Sequence, residues 1–127
     1  MTDRSTVQRL LHGLYAARVR GDLDAVCRAF SDTATFQIAG ASHASPIAVT
    51  AVGVDKFRPL LAMMIKTFKL SDHSILLMII DGARAAVHWR AMIHSRITGT
   101  TVSTELADLV EIENDRIVSY IEFFAPR

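Results

Sequence analysis

The chain has 127 residues and a mass of 14.0 kDa, the length of one domain. Half of its residues are hydrophobic and 21% are charged, which excludes a disordered chain. Fourteen basic against 13 acidic residues, a net charge of +1, exclude a strongly basic nucleic-acid binder. The single cysteine, Cys27, excludes an internal disulfide and a cysteine zinc set. The longest wholly apolar run, Ile75 to Ile80, is far too short to span a membrane. The opening residues lack the basic-then-apolar pattern of a signal peptide, so the cytoplasm is the expected compartment. No repeat, low-complexity tract or linker interrupts the chain, and a single domain over residues 1–127 is expected.

Val7, Leu10, Leu11, Leu14 and Ala17 recur at helical spacing with Tyr15 beside the stripe. Ser5 or Thr6 is the expected cap. Gly21 is the expected stop, after Arg18 and Arg20, which suit the negative end of the helix dipole. Asp22 caps a second short helix whose apolar side is Ala25, Val26, Ala29 and Phe30. Thr33 to Ala39 reads as a short strand and Gly40 to Pro46 as a loop. A third helix follows Gly53, with Asp55 as its cap and Pro59 in its first turn. Its stripe is Phe57, Leu60, Leu61, Met64, Ile65 and Phe68. Then come strands over Ser74–Ile80, Arg84–Thr98, Thr101–Glu113 and Arg116–Phe124. Helices first and antiparallel strands after them predict an α+β fold, with the helices on one face of the sheet.

A tight turn centred on Gly99 would place Ala91 opposite Asp108, His94 opposite Glu105 and His88 opposite Glu111. One face then carries Val87, Trp89, Ala91 and Ile93 against Leu106, Asp108, Val110 and Ile112. The other carries His88, Arg90, Met92 and His94 against Glu105, Ala107, Leu109 and Glu111, a solvated or dimer-facing polar surface. Asp108 is the anomaly, a carboxylate on the apolar face. It must find hydrogen bonds or go neutral. It is either a functional acid in an apolar cleft or a structural one fixed by a helix N-terminus or a buried hydroxyl. Glu122 depends on the loop at Asn114-Asp115. Two loop residues turn Ile117, Ser119, Ile121 and Phe123 inward, whereas three turn Val118, Tyr120, Glu122 and Phe124 inward.

Three stretches carry a family resemblance: Leu14-Tyr15-Ala16-Ala17 through Gly21-Asp22-Leu23-Asp24, Phe30 to Phe36, and the helix start Gly53 to Phe57. Together with Glu113 to Ile117 and Tyr120 to Phe124, they make the chain resemble the SnoaL-like and ketosteroid isomerase-like branch of the NTF2-like superfamily. The resemblance implies a cone: N-terminal helices packed in the concave face of a curved antiparallel sheet, around an apolar pocket. It also implies a homodimer through the outer face. Matched to ketosteroid isomerases, the oxyanion tyrosine position is Leu14, with Tyr15 one residue off. The base position is Ile38, and the late-strand acid is Asp108. Steroid isomerisation is therefore not expected. In SnoaL-type polyketide cyclases the late-strand aspartate is the base. In limonene-epoxide hydrolases two carboxylates, matched by Asp108 and Glu122, work with an arginine, whose position here is Leu106. Arg90 is the nearest substitute in sequence, on the other face.

The expected function is a cofactor-independent enzyme performing cyclase-, isomerase- or hydrolase-type acid–base chemistry on a small apolar carbonyl compound. Asp108 is its base or hydrogen-bonding acid, and Glu122 assists if it faces inward. The expected pocket comprises Leu14, Tyr15, Ile38, Trp89, Ala91, Ile93, Leu106, Val110, Tyr120 and Phe124. The alternative is a non-catalytic ligand-binding or interaction domain in which Asp108 is structural. No cofactor, metal, nucleic acid or membrane is expected. His12, His43 and His73 show no metal spacing, Met63, Met64 and Met78 read as core filler, and Ser42, His43 and Ser45 fall in a loop that would cover the pocket mouth.

Overall fold

The computed structural model describes residues 3–41 and 46–124. Three helices, α1 (Arg4–Arg20), α2 (Leu23–Arg28) and α3 (Val54–Thr67), accompany six strands. The strands are β1 (Phe30–Ala41), β2 (Pro46–Val52), β3 (Phe68–Asp81), β4 (Arg84–Ser95), β5 (Thr101–Glu113) and β6 (Arg116–Phe124). The strands form one curved, open sheet in the order β2-β1-β6-β5-β4-β3. Neighbours pair antiparallel except β1 and β6, which run parallel. α1 packs against β3, and α3 against β1, β2 and β3, so the helices lie in the concave side. Among the described residues no helix is long and apolar enough to cross a membrane.

Local chemistry sets the boundaries, with several departures from expectation. Asp3, not Ser5 or Thr6, caps α1, its carboxylate accepting from the Thr6 N–H at 2.8 Å. Gly21 closes α1 at φ 74°, and Asp22 caps α2 through the Ala25 N–H at 3.1 Å. Gly53, at φ 91°, starts α3 without a side-chain cap, so Asp55 lies in the first turn as a dipole partner instead. Pro59 comes one turn later than expected, where its missing N–H removes a bond to the Asp55 carbonyl. β1 is longer than the predicted strand, and β2 replaces part of the predicted loop and the stretch after it. Ser42, His43 and Ser45, expected at the pocket mouth, lie outside the described residues.

The register of β4 and β5 differs from the expected one by four residues. Ala91 faces Thr104, and Asp108 faces Val87. The loop is Arg96 to Gly99, closed by Ser95 N–H to Thr100 O at 2.9 Å, and Gly99 is its last residue at φ 75° rather than its centre. The displacement is even, so every side chain keeps its predicted face. Cross-strand partners do change. His88 pairs diagonally with Glu105 at 3.3 Å, Arg84 pairs with Glu111 directly opposite at 3.9 Å, and His94 hydrogen-bonds Thr101 at 2.8 Å.

The facing of β6 combines both readings of its loop. Asn114 and Asp115, at φ 51° and 62°, make a two-residue turn, and Ile117 is buried. Glu111 then faces Ser119 while Ile112 faces Ile117, so Val118 is the extra residue of a β-bulge. The bulge flips the phase, and Tyr120 and Glu122 also point inward. Phe30, Phe36, Phe57 and Tyr120 form an aromatic cluster in which the Phe36 and Tyr120 rings stack at 5.6 Å. Such pairs contribute about 0.5–1.5 kcal/mol each beyond burial. They fix the Tyr120 ring, which matters at the site.

The outer face is less polar than the sequence suggests. Leu77, Ile79, Leu109 and Phe123 are each 40–54% exposed there. In the ladder, Ile79, Ala86, Leu109 and Ile121 form one row, and Leu77, His88, Ala107 and Phe123 the next.

Candidate functional site

Two carboxylates stand side by side on the concave face. Asp108 on β5 pairs with Glu122 on β6, and among the described residues they are the buried charged residues of the core, at 0% and 3% exposure. Each meets a different set of donors.

Asp108 sits in a nest of neutral donors. Trp89 on β4 donates its indole N–H to Asp108 Oδ2 at 2.7 Å. The Tyr15 hydroxyl from α1 and the Tyr120 hydroxyl from β6 donate to the same oxygen in short hydrogen bonds. The other oxygen, Oδ1, is buried without a partner. Burial, with the Glu122 charge adding to it, raises the Asp108 pKa from 3.8 to about 7, against the opposing effects of Arg18 and the two tyrosines. A proton on the partnerless Oδ1 would leave Oδ2 to accept from all three donors.

Glu122 takes a cation. Arg18, near the end of α1, donates Nη1 to Glu122 Oε2 at 2.5 Å, with only 11% and 4% of the two side chains exposed. Nη1 also donates to the Tyr120 oxygen at 3.3 Å, and the guanidinium lies 5.2 Å over the Trp89 ring. Burial works against the Arg18 charge, but Glu122, with Tyr120 and Asp108 beside it, more than offsets that effect and raises the guanidinium pKa further. Tyr120 thus joins the two halves, donating to Asp108 and accepting from Arg18. His73, near the β3 irregularity, stacks on Tyr15 at 5.3 Å. Burial, then the Arg18 charge, lowers its pKa.

A cavity of about 480 Å³ opens beside this cluster. The α3 stripe of Leu60, Leu61, Met64 and Ile65 forms one wall, which explains why most of that stripe is only half-buried. Of the expected pocket residues, Ile38, Trp89, Ile93, Leu106 and Phe124 line the cavity. Leu14, Tyr15, Ala91, Val110 and Tyr120 do not; they are packed into the core behind it. The expected order of the two acids is reversed as well, because Glu122 reaches the cavity wall and Asp108 does not. Arg18, Glu122 and Thr104 are the polar residues of an otherwise apolar lining. Among the described residues no three His, Cys, Asp or Glu side chains gather to hold a metal ion.

Arg18 is the site residue that the sequence reading missed. It lies four residues after Leu14 and three after Tyr15, so helical spacing already put it on the buried stripe. Arg90, the substitute considered for it, is exposed on the other face. His73 gave no comparable signal, because an irregular stretch of β3 decides its direction.

The fold has many structural counterparts. A proposed isomerase from Bacillus subtilis superposes with a TM-score of 0.85 at 17% identity, over 99% of this chain and 91% of the other. A LEH-like epoxide hydrolase from M. tuberculosis gives 0.76 at 18% identity, over 94% and 83%. A proposed polyketide cyclase from Xanthomonas campestris gives 0.76 at 17% identity, over 96% and 92%. At such identities the likeness is one of fold. No curated protein matches the chain. The SnoaL-like domain matches residues 11–120, a span running from the first buried helix through Tyr120 of the polar cluster, and the chain belongs to that family.

Proposed function

We propose that the chain is a small-molecule enzyme performing cofactor-independent acid–base chemistry on an apolar carbonyl compound held in the cavity. The observation that carries this reading is the Arg18–Glu122 pair in the wall of an otherwise apolar cavity. Glu122 takes or returns the substrate proton. Arg18, beside it and nearly dry, stabilises the negative charge that develops on the carbonyl oxygen. Asp108 acts through its neighbours as a positioning residue. It fixes Tyr120 and Trp89, which in turn hold Arg18. The isomerase and polyketide cyclase names of two structural counterparts fit such chemistry. Ile38, opposite Glu122 in the ladder, offers no base from β1.

Proton abstraction is testable without knowing the substrate. Small apolar ketones and β-keto esters are incubated with the protein in D2O, and α-deuterium is followed by NMR. The expected result is exchange above buffer that falls about 100-fold or more in Glu122→Gln. A panel that binds without any exchange above buffer overturns the enzyme reading. It would favour a non-catalytic ligand-binding domain, a reading supported by the ion pairing of Glu122 with Arg18.

The two largely apolar rows on the outer face, interrupted by His88, support a homodimer with a second copy of this chain. Wild type should then sediment as a dimer and Leu109→Lys as a monomer, and a wild type that sediments as a monomer would overturn the dimer.

A further inference from the structure

A second hollow, of about 500 Å³, adjoins the cavity and shares Arg18, Ile65, Phe68 and Leu70 with it. Its lining holds five of the 14 basic residues, Arg18, Arg20, Lys66, Lys69 and Arg96, and no acid. Three of these cations have work elsewhere. Arg18 pairs with Glu122 and Arg20 with Asp22, while Arg96 donates to the Ile65 and Lys66 carbonyls at the end of α3. Lys66 and Lys69 are exposed, and neither pairs with a carboxylate among the described residues. Between hollow and cavity stand Phe68, 43% exposed, and Ile65. Apolar surface thus leads from a greasy interior directly to unpaired ammonium groups.

We infer that the ligand of this cavity is an apolar molecule ending in an anion. Its apolar body lies against Trp89, Leu106 and α3, and its anionic end passes Phe68 to rest between Lys66 and Lys69. This inference rests on the cavity being a ligand site and adds the chemical class of the ligand. A positive mouth also steers anions toward the opening. An apolar ligand with a neutral end would gain nothing from the lysines, and one with a cationic end would be repelled.

Trp89 is the sole tryptophan and lines the cavity, so its fluorescence reports entry. The probes are octanoate, octan-1-ol and octylamine, titrated at pH 8 and low salt. Octanoate is expected to bind at least about 5-fold more tightly than octanol, octylamine most weakly, and the octanoate advantage to shrink in about 0.5 M NaCl. The double variant Lys66→Gln/Lys69→Gln should bring octanoate within twofold of octanol and leave octanol unchanged. Equal binding of octanoate and octanol, or a double variant that weakens both alike, overturns the anion site and leaves the cavity reading standing. Failure of all three probes to bind, by Trp89 fluorescence and by isothermal titration calorimetry alike, overturns both.

Discussion

Asp108 and Glu122 are neighbours on adjacent strands, share a face and are equally dry, yet the fold treats them in opposite ways. Asp108 meets three neutral donors on one oxygen and none on the other. Glu122 meets a guanidinium. Burying an ionised carboxylate is costly unless a cation or enough donors replace its water. Glu122 has the cation and stands in the cavity wall, while Asp108 is sealed behind Trp89 and the tyrosines with its proton affinity raised. Two identical functional groups set side by side are thus separated into a charged one facing the ligand space and a readily neutralised one supporting it.

The largest expected effect breaks the charged half. Arg18→Met leaves Glu122 buried without its cation, and urea unfolding should show a loss of about 3–5 kcal/mol. The double variant Arg18→Met/Glu122→Leu should recover most of that loss, because an apolar pair of similar volume fits the same wall. If Arg18→Met unfolds at the wild-type urea midpoint, the pair contributes nothing and the contrast between the acids is lost.

Breaking the neutral half should cost less. Asp108→Leu strands the Trp89 and tyrosine donors but relieves the burial of Asp108 itself, a net loss of about 1–3 kcal/mol by the same measurement. Asp108→Asn keeps an acceptor toward the three donors and should lie closer to wild type.

The sign of the pH dependence separates the halves further. The folded-state pKa of Asp108, about 7, lies above its ordinary 3.8, so the folded protein holds this proton more tightly than the unfolded chain. The stability from that proton is full below 3.8, falls as pH rises, and is gone above about 7. Melting temperatures of wild type should therefore drop relative to Asp108→Asn across that window and run parallel above it. A difference that stays constant with pH would show that Asp108 has no raised pKa. The smallest expected effect is Tyr15→Phe. It removes one donor to the ionised carboxylate and should move the Asp108 titration, followed by carboxyl infrared absorption, to higher pH. A titration that stays in place would show that Tyr15 does not stabilise the Asp108 carboxylate.

Much of this is legible in the sequence, and the gaps have physical causes. Period-two alternation put Asp108 on the apolar face, and an error of four residues in register left that intact because facing depends only on parity. Pairing depends on turn geometry, and the position of Gly99 at the end of a four-residue loop rather than its centre moved every partner. The facing of Glu122 could not be read from periodicity, because a bulge at Val118 resets the phase after a turn that alone would have pointed it outward. Arg18 carried a double signal, a cation in the last turn and a place on the buried stripe, and only the second led to the site.

By itself the sequence determined the order of helices and strands, the inward face of β4 and β5, and the presence of one acid among apolar neighbours. These follow from local propensity and repeat period, which act over a few residues. Tertiary structure decided which acid reaches open space, which cation meets it and where a basic hollow joins the cavity. Those outcomes depend on contacts between α1, α3 and strands far apart in the chain, and local pattern carries no information about long-range partners.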